Sequence, residues 1–313
     1  MKSILIVNHK EKQCGIHQYG EDLFNTLKKS KYTFYRAECS DKEDFDDALI
    51  YYLPNVIIYN YYPFTMPWLT KEITQRIKIP QLAIFHEVTQ ESADNCHTNM
   101  FDYMLCPDPT LKTTNPICIK TKRLIPSYQS KIKAEPNTIG SFGFGYHGKG
   151  FDSIVKQVNL EFDEATINLH IPRSDVVGKH IWSRDHPYWL ERKLKKLTKP
   201  GITLNITHDF LDKKGLLDFL AGNSINCFFY DTDKYKGISS VIDSALAVHR
   251  PIALTHCKMF RHLFTEPSIF IENNTLKNII GNGLYPLRKY YARWSEKQFI
   301  LDYEKILDSV LST

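Results

Sequence analysis

The chain has 313 residues, 42% of them hydrophobic and 24% charged, with a formal net charge of +5. That length and apolar content suffice for two α/β domains of ordinary size in a soluble globular protein, and no apolar run approaches the roughly 18 residues of a membrane span. The small positive charge permits a polyanionic partner without requiring one.

Short apolar segments alternate with amphipathic ones from the start, which is the pattern of parallel sheets with crossover helices. In the first half, strands are expected at Ile4 to Asn8, Thr33 to Arg36, Val56 to Asn60, Gln81 to Phe85, Tyr103 to Cys106 and Arg123 to Ile125. Gly15 to Lys29, with Ile16, Tyr19, Leu23 and Leu27 at helical spacing, and Lys42 to Tyr52 are expected helices. Ser127 to Pro136 is polar, lacks an apolar period and is bracketed by Pro126 and Pro136, so it reads as an interdomain linker. A second set of strands follows at Thr138 to Phe144, Ala165 to Ile171, Ile202 to Ile206, Ile225 to Tyr230, Pro251 to Leu254 and Ser268 to Ile271, and a helix over Ser295 to Leu311. The expected domains are therefore 1–127, 128–293 and a terminal helix at 294–313.

Seven cysteines, without a CxxC pair, point to a reducing compartment. The apolar run after Met1 is too short for a signal-peptide core, so the expected location is cytoplasmic. The basic run Arg192, Lys193, Lys195 and Lys196 reads as a solvated helix face. Cys96-His97 and His256-Cys257 are adjacent pairs without the spacing of metal ligands, and no metal site is expected.

Two segments carry most of the chemical signal. Ile139-Gly-Ser-Phe-Gly-Phe-Gly-Tyr-His-Gly-Lys-Gly-Phe151 runs a strand into a glycine-rich turn in which Gly143, Gly145, Gly148 and Gly150 permit close backbone approach and Lys149 can neutralise a phosphate. It is neither a Walker loop nor the dinucleotide fingerprint. Gly237-Ile-Ser-Ser-Val-Ile-Asp-Ser-Ala-Leu-Ala-Val-His-Arg-Pro-Ile252 reads as a small-residue loop, a helix start with Ser239 and Ser240 as caps, and a buried strand; taken alone it is an ordinary capped helix sooner than an anion site, and the matching glycine-rich turn upstream shifts the reading towards the anion site. Asp231-Thr232-Asp233 ends a strand and is a competing signal for a metal-assisted diphosphate site. The aromatic block Tyr59 to Phe64, with Tyr61 and Tyr62 and followed by Trp68, is read either as loop packing or as an acceptor platform.

With these segments in view, the chain resembles the two-domain GT-B nucleotide-sugar glycosyltransferases, in particular the retaining group called glycosyl transferase group 1. Ile4 to Val7 with Gln13-Cys-Gly-Ile-His-Gln-Tyr-Gly20 is similar to the opening strand, glycine loop and first helix. Phe142 to Phe151 is similar to the lysine-glycine turn, Gly237 to Ile252 to the donor-site helix, and the helix from Trp294 on to the one that crosses back to the first domain.

The resemblance implies two Rossmann-like doubly wound domains facing a cleft, with a nucleotide diphosphate sugar as co-substrate held mainly by the second domain and no bound cofactor. Lys149 would contact the diphosphate, with Gly145, Gly237, Ile238, Ser239 and Ser240 beside it, and Gly15 and Ile16 would border the sugar. His86 falls where the family often places a histidine near the transferred sugar. Three positions depart from the pattern. Phe144 stands where an arginine is usual, Lys236 and Ser244 stand where two glutamates are usual, and Asp243 is one residue from the second; Arg173 and Arg261 are candidates for the missing positive charge.

The chemistry needs a stabilised leaving diphosphate, which positioned N–H groups and Lys149 supply without a metal. His86 and Glu87 are the candidate bases on the acceptor side. Retention and inversion both remain open, and the acceptor is a glycan, a lipid-linked sugar, a protein or a modified DNA base. The alternative function is a non-catalytic nucleotide-sugar or glycan-binding protein of the same fold, suggested by the absent glutamates.

Overall fold

The structure, a computed structural model, describes residues 2–97, 99–129, 132–146, 148–173, 182–231 and 237–312. Thr232, Asp233 and Lys236 lie outside the described residues. The chain divides into two units: Met1–Pro126 with Lys236–Ile238 and Arg293–Thr313, and Ser127–Tyr235 with Ser239–Ala292.

The first unit runs β1 (Ser3–Asn8), α1 (Gly15–Leu27), β2 (Thr33–Glu38), α2 (Lys42–Tyr52), β3 (Val56–Tyr59), α3 (Lys71–Thr74), β4 (Gln81–Ile84), α4 (Gln90–Asp94), β5 (Tyr103–Cys106) and β6 (Cys118–Lys120). Its six strands are all parallel in the order β2-β1-β3-β4-β5-β6. Ile4 to Val7 and Val56 to Tyr59 are buried on both faces, which is why uninterrupted apolar runs occupy the sheet centre, whereas the edge strand β2 is only partly buried. Ile4 and Ile6 pack with Leu23 and Leu27 on one face, and Leu5 and Val7 with Phe45 and Tyr59 on the other. Chain order reverses between β1 and β3, so the carboxyl ends of those strands form the topological switch point.

The second unit contains β7 (Glu135–Phe142), α5 (Phe151–Glu161), β8 (Ala165–His170), α6 (Trp182–Leu197), β9 (Ile202–Thr207), α7 (Lys213–Ala221), β10 (Asn223–Phe228), α8 (Val241–Ala247), β11 (Ile252–Leu254), α9 (Leu276–Asn282) and α10 (Arg288–Arg293), the last of which ends at the boundary. Five parallel strands lie in the order β11-β10-β7-β8-β9, with the switch point between β7 and β10. The final helix, α11 (Glu296–Ser312), belongs to the first unit, where Phe299, Tyr303, Leu307 and Val310 join the core of Ile4 and Leu23.

Two expected strands are not strands. Arg123 to Ile125 is an extended loop and the edge position belongs to β6. Arg123 is buried with its Nη1 donating to the carbonyl of Pro107 at 2.5 Å, and Leu124 enters the core, so the apolar pattern there marked burial rather than pairing. Ser268 to Ile271 begins in a 3-10 turn, Pro267–Ile269, with only an isolated bridge between Leu254 and Phe270; proline at the turn's start brings no N–H to a ladder. The expected linker is also shorter than Ser127 to Pro136, because Glu135 and Pro136 already belong to β7. All seven cysteines are buried, and none is in a disulfide. Among the described residues, no helix is long and apolar enough to cross a membrane.

Candidate active site

In the first unit the switch point is lined by polar side chains at strand ends. Asn8 closes β1, Asn60 follows β3, and His86 follows β4; both asparagines are fully buried. The Asn60 amide donates to Asn8 Oδ1 at 2.9 Å and to the Ile16 carbonyl at 2.6 Å, and its own Oδ1 lies 2.8 Å from His86 Nε2. Tyr19 meets the His86 ring edge-on at 5.0 Å. Burial, with the Arg123 guanidinium and His9 nearby, pushes the His86 pKa down to about 3, so the ring is neutral at ordinary pH. A base this weak is poorly matched to removing a proton near neutrality, whereas a neutral imidazole is a sound hydrogen-bond acceptor. Glu87 is exposed beside it. Gly15, the first residue of α1, has open space where a side chain would stand, and Ile16 enters the site through its carbonyl.

Gly237 and Ile238 group with this first unit, whereas the donor-helix residues from Ser239 on group with the second. A Cβ at position 237 would lie 2.2 Å from the His86 carbonyl oxygen. Glycine is required there by contact with the His86 backbone, independently of any phosphate.

In the second unit, the glycine-rich turn sits at the carboxyl end of β7. Gly143, Gly148 and Gly150 have positive φ, and Gly145 does not. Gly150, at φ 65°, is the N-cap of α5, and a Cβ there would lie 1.7 Å from the carbonyl oxygen of Phe229. The turn is tied to the end of β10 by Asp231, whose N–H donates to the Gly148 carbonyl at 3.1 Å. Lys149 is thereby placed at the start of α5 with its ammonium 4.0 Å from the centre of the Tyr230 ring. Tyr230 packs in turn on Phe260 at 4.8 Å, and the neighbouring Met259 carbonyl accepts the Ser239 N–H at 3.1 Å. Lys149 and the start of the donor helix are thus joined through Tyr230 and a single 3-10 turn, Lys258–Leu263, which also carries Arg261.

Ser240 occupies the N-cap position of α8 without capping it. Its φ and ψ of −74° and −8° are already helical, no side-chain cap bond forms, and its carbonyl accepts the Asp243 N–H at 3.1 Å. Ser239, Asp243 and Ser244 are buried. Arg173 is exposed and directed elsewhere, its guanidinium stacked 5.0 Å from the Tyr188 ring and bonded to the same hydroxyl, while Arg261 donates to the Lys258 carbonyl at 3.0 Å. Tyr61 and Trp68 pack on the first unit's core, against Phe101 at 5.1 Å and Phe45 at 5.6 Å respectively; Tyr62 is half-buried beside the exposed Phe64. Asp231 is exposed, and its partner in the Asp-x-Asp motif lies outside the described residues.

No protein-family model and no curated protein sequence matches the chain. Solved structures match it over its whole length. Alr3699/HepE of Anabaena in complex with UDP and glucose aligns at TM-score 0.69 and 10% identity, covering 99% of this chain and 100% of the other. An α,α-trehalose-phosphate synthase (UDP-forming) of Burkholderia xenovorans with glucose-6-phosphate aligns at 0.65 and 9% identity, with coverage of 99% and 100%. An α-glucosyltransferase in complex with UDP and a 13-mer DNA containing an HMU base aligns at 0.56 and 11%, covering 99% of each chain. The chain has the GT-B fold.

Within this GT-B frame three residues stand out that sequence reasoning did not select. Tyr230 is buried, carries Lys149 on its ring, and has a hydroxyl with no hydrogen-bond partner. Asn8 and Asn60 end or follow buried apolar strands, where an amide in an otherwise apolar run is the signal that could have found them. Among the described residues one set of groups, His17, Glu21 and Glu38, has ligand atoms within 4.8 Å of one another. His17 Nε2 is already 2.9 Å from Glu38, and Glu21 is paired with Arg36, so the charges are met internally.

Proposed function

We propose that this chain is a glycosyltransferase that moves a sugar from a nucleotide diphosphate sugar to an acceptor, with the second unit holding the donor and the first presenting the acceptor. The observation that carries the reading is Lys149. It is a cation fixed by an aromatic ring at the start of an eleven-residue helix, on the switch point of the second sheet, in a chain whose fold is shared with UDP-bound proteins. A helix start with a lysine suits a diphosphate, since unpaired N–H groups and the ammonium meet the charge that grows on the leaving group.

In this reading Lys149 binds the diphosphate, and Ser239, at the start of the donor helix, and Arg261, on the turn that carries Phe260, border it. His86 and Ile16 border the sugar, and Tyr62 belongs to the acceptor side. The donor is bound without a metal, and the protein works in the cytoplasm. DNA carrying a hydroxymethylated base belongs among the acceptors to be tried, because one structural neighbour was solved with such DNA. A duplex acceptor would have to be opened to reach the site, and its use would weaken steeply with added salt.

The test is calorimetric binding and thermal shift with UDP, GDP, ADP, CDP and their sugar conjugates, with and without a divalent ion, followed by donor turnover in the presence of acceptors. Stabilisation by one diphosphate without a metal, lost in Lys149→Ala, is expected. Binding without turnover on any acceptor would favour the non-catalytic reading, to which Ser244, buried where the family has a glutamate, lends support. The absence of binding by any nucleotide would remove the transferase and leave the non-catalytic, glycan-binding reading.

A further inference from the structure

The polar groups at the first unit's switch point form a chain whose donors and acceptors are all determined from one end. The backbone N–H of His9 donates to Asn8 Oδ1 at 3.1 Å, and of the two amide atoms only the oxygen can accept it. The other amide atom of Asn8 is therefore nitrogen, consistent with its 3.1 Å contact to the His17 carbonyl. Asn8 Oδ1 and the Ile16 carbonyl are both acceptors, so the Asn60 atom facing them is its NH2, and its oxygen faces His86. An amide oxygen accepts only. The His86 proton must then sit on Nε2, and a neutral ring has just one such proton, which leaves Nδ1 as a bare lone pair. Among the described residues Nδ1 has no hydrogen-bond partner.

The packing around this chain is tight in a way that protects its geometry. Gly20 of α1 lies over both asparagines: a Cβ there would stand 2.5 Å from Asn8 Nδ2 and 2.7 Å from Asn60 Nδ2. Tyr19, the preceding residue, meets the His86 ring edge-on. The charged or titratable groups that act on the ring are Arg123 and His9.

We propose that Asn60 is a positioning residue that, with its own orientation fixed by Asn8, locks His86 in the Nε2–H tautomer and so presents Nδ1 as an acceptor for a hydroxyl of the bound sugar. The hydroxyl is assigned on the transferase reading above; the locked tautomer is a property of the protein alone. A serine or threonine in place of Asn60 would be able to donate as well as accept, and would not impose one tautomer.

Long-range 1H–15N NMR on the full chain labelled at histidine nitrogen tests this, with His86 identified by the loss of its signals in His86→Gln. The expected result is a protonated Nε2 and an unprotonated Nδ1 in the wild type, unchanged from pH 8 to pH 5. In Asn60→Ser the hydroxyl can donate as well as accept, so part of the His86 population should appear protonated on Nδ1 while the other histidine signals stay in place. Protonation on Nδ1 in the wild type overturns the proposal without needing any variant to fold, as does an Asn60→Ser protein whose His86 stays wholly in the Nε2–H form. A protein with the expected tautomer that neither binds nor turns over any sugar nucleotide would leave the lock standing and remove the transferase reading.

Discussion

Replacing Gly150 by alanine should separate α5 from the end of β10. Two costs add at this position. The φ of 65° is left-handed, which costs an alanine about 1 kcal/mol or somewhat more relative to glycine. The new Cβ would start 1.7 Å from the Phe229 carbonyl oxygen, so the backbones must part by about 1.3 Å to reach the 3.0 Å floor of such contacts. Overpacking of this kind costs about 1–3 kcal/mol. Together these give about 2–5 kcal/mol, and in a unit of this size a melting temperature lower by about 4–20 °C. Differential scanning calorimetry on wild type, Gly150→Ala and Gly150→Asn separates the terms, because asparagine tolerates the left-handed backbone while keeping the clash. The Asn variant should lie within about 1 kcal/mol of the Ala variant. An alanine variant melting within about 2 °C of wild type would refute the argument, since the smallest summed cost already exceeds that shift.

Lys149→Ala should weaken nucleotide diphosphate binding by about 1.5–3 kcal/mol, read by calorimetry, if its ammonium makes a charge-assisted bond to the diphosphate; unchanged affinity would take Lys149 out of the site. His9 and His170 are held neutral by burial, each with a pKa lowered from 6.5 to about 4. The unfolded chain therefore binds protons that the folded one refuses, and stability that is fully present above pH 6.5 should be lost as the pH falls towards 4. His170→Gln should flatten that fall in urea titrations, and an unchanged pH slope would contradict the burial argument. Leu307→Ala in α11 should cost about 2–5 kcal/mol, because Leu307 is fully buried in the first unit's core; denaturation with a loss below about 1 kcal/mol would mean that the helix is only loosely applied.

The sheets were legible because their central strands are continuous runs of apolar residues, as at Ile4 to Val7 and Val56 to Tyr59. Arg123 to Ile125 misled for the same reason: burial of Leu124 and Arg123 leaves the same apolar trace as a strand, and only the partner backbone distinguishes them. The lysine turn was readable from its glycines. Tyr230 was not, because its importance lies in the approach of Lys149 from 81 positions away in the chain, a contact made by the order of strands rather than by spacing. Asn60 and Asn8 are likewise 52 positions apart and meet only because β1 and β3 are neighbours. Gly237 was read as a phosphate glycine, whereas its close contact is the His86 carbonyl, which no local pattern encodes.

The place of α11 has a consequence for synthesis on the ribosome. Phe299, Tyr303 and Leu307 complete a core that includes Ile4, so the first unit to be translated is the last able to close, while the second unit's residues, apart from the short excursion at Lys236–Ile238, form one continuous stretch and can fold as soon as they emerge. The usual order, in which the amino-terminal domain folds first, is inverted. Until α11 arrives, the apolar flank of β1 and α1 that it covers stays uncovered.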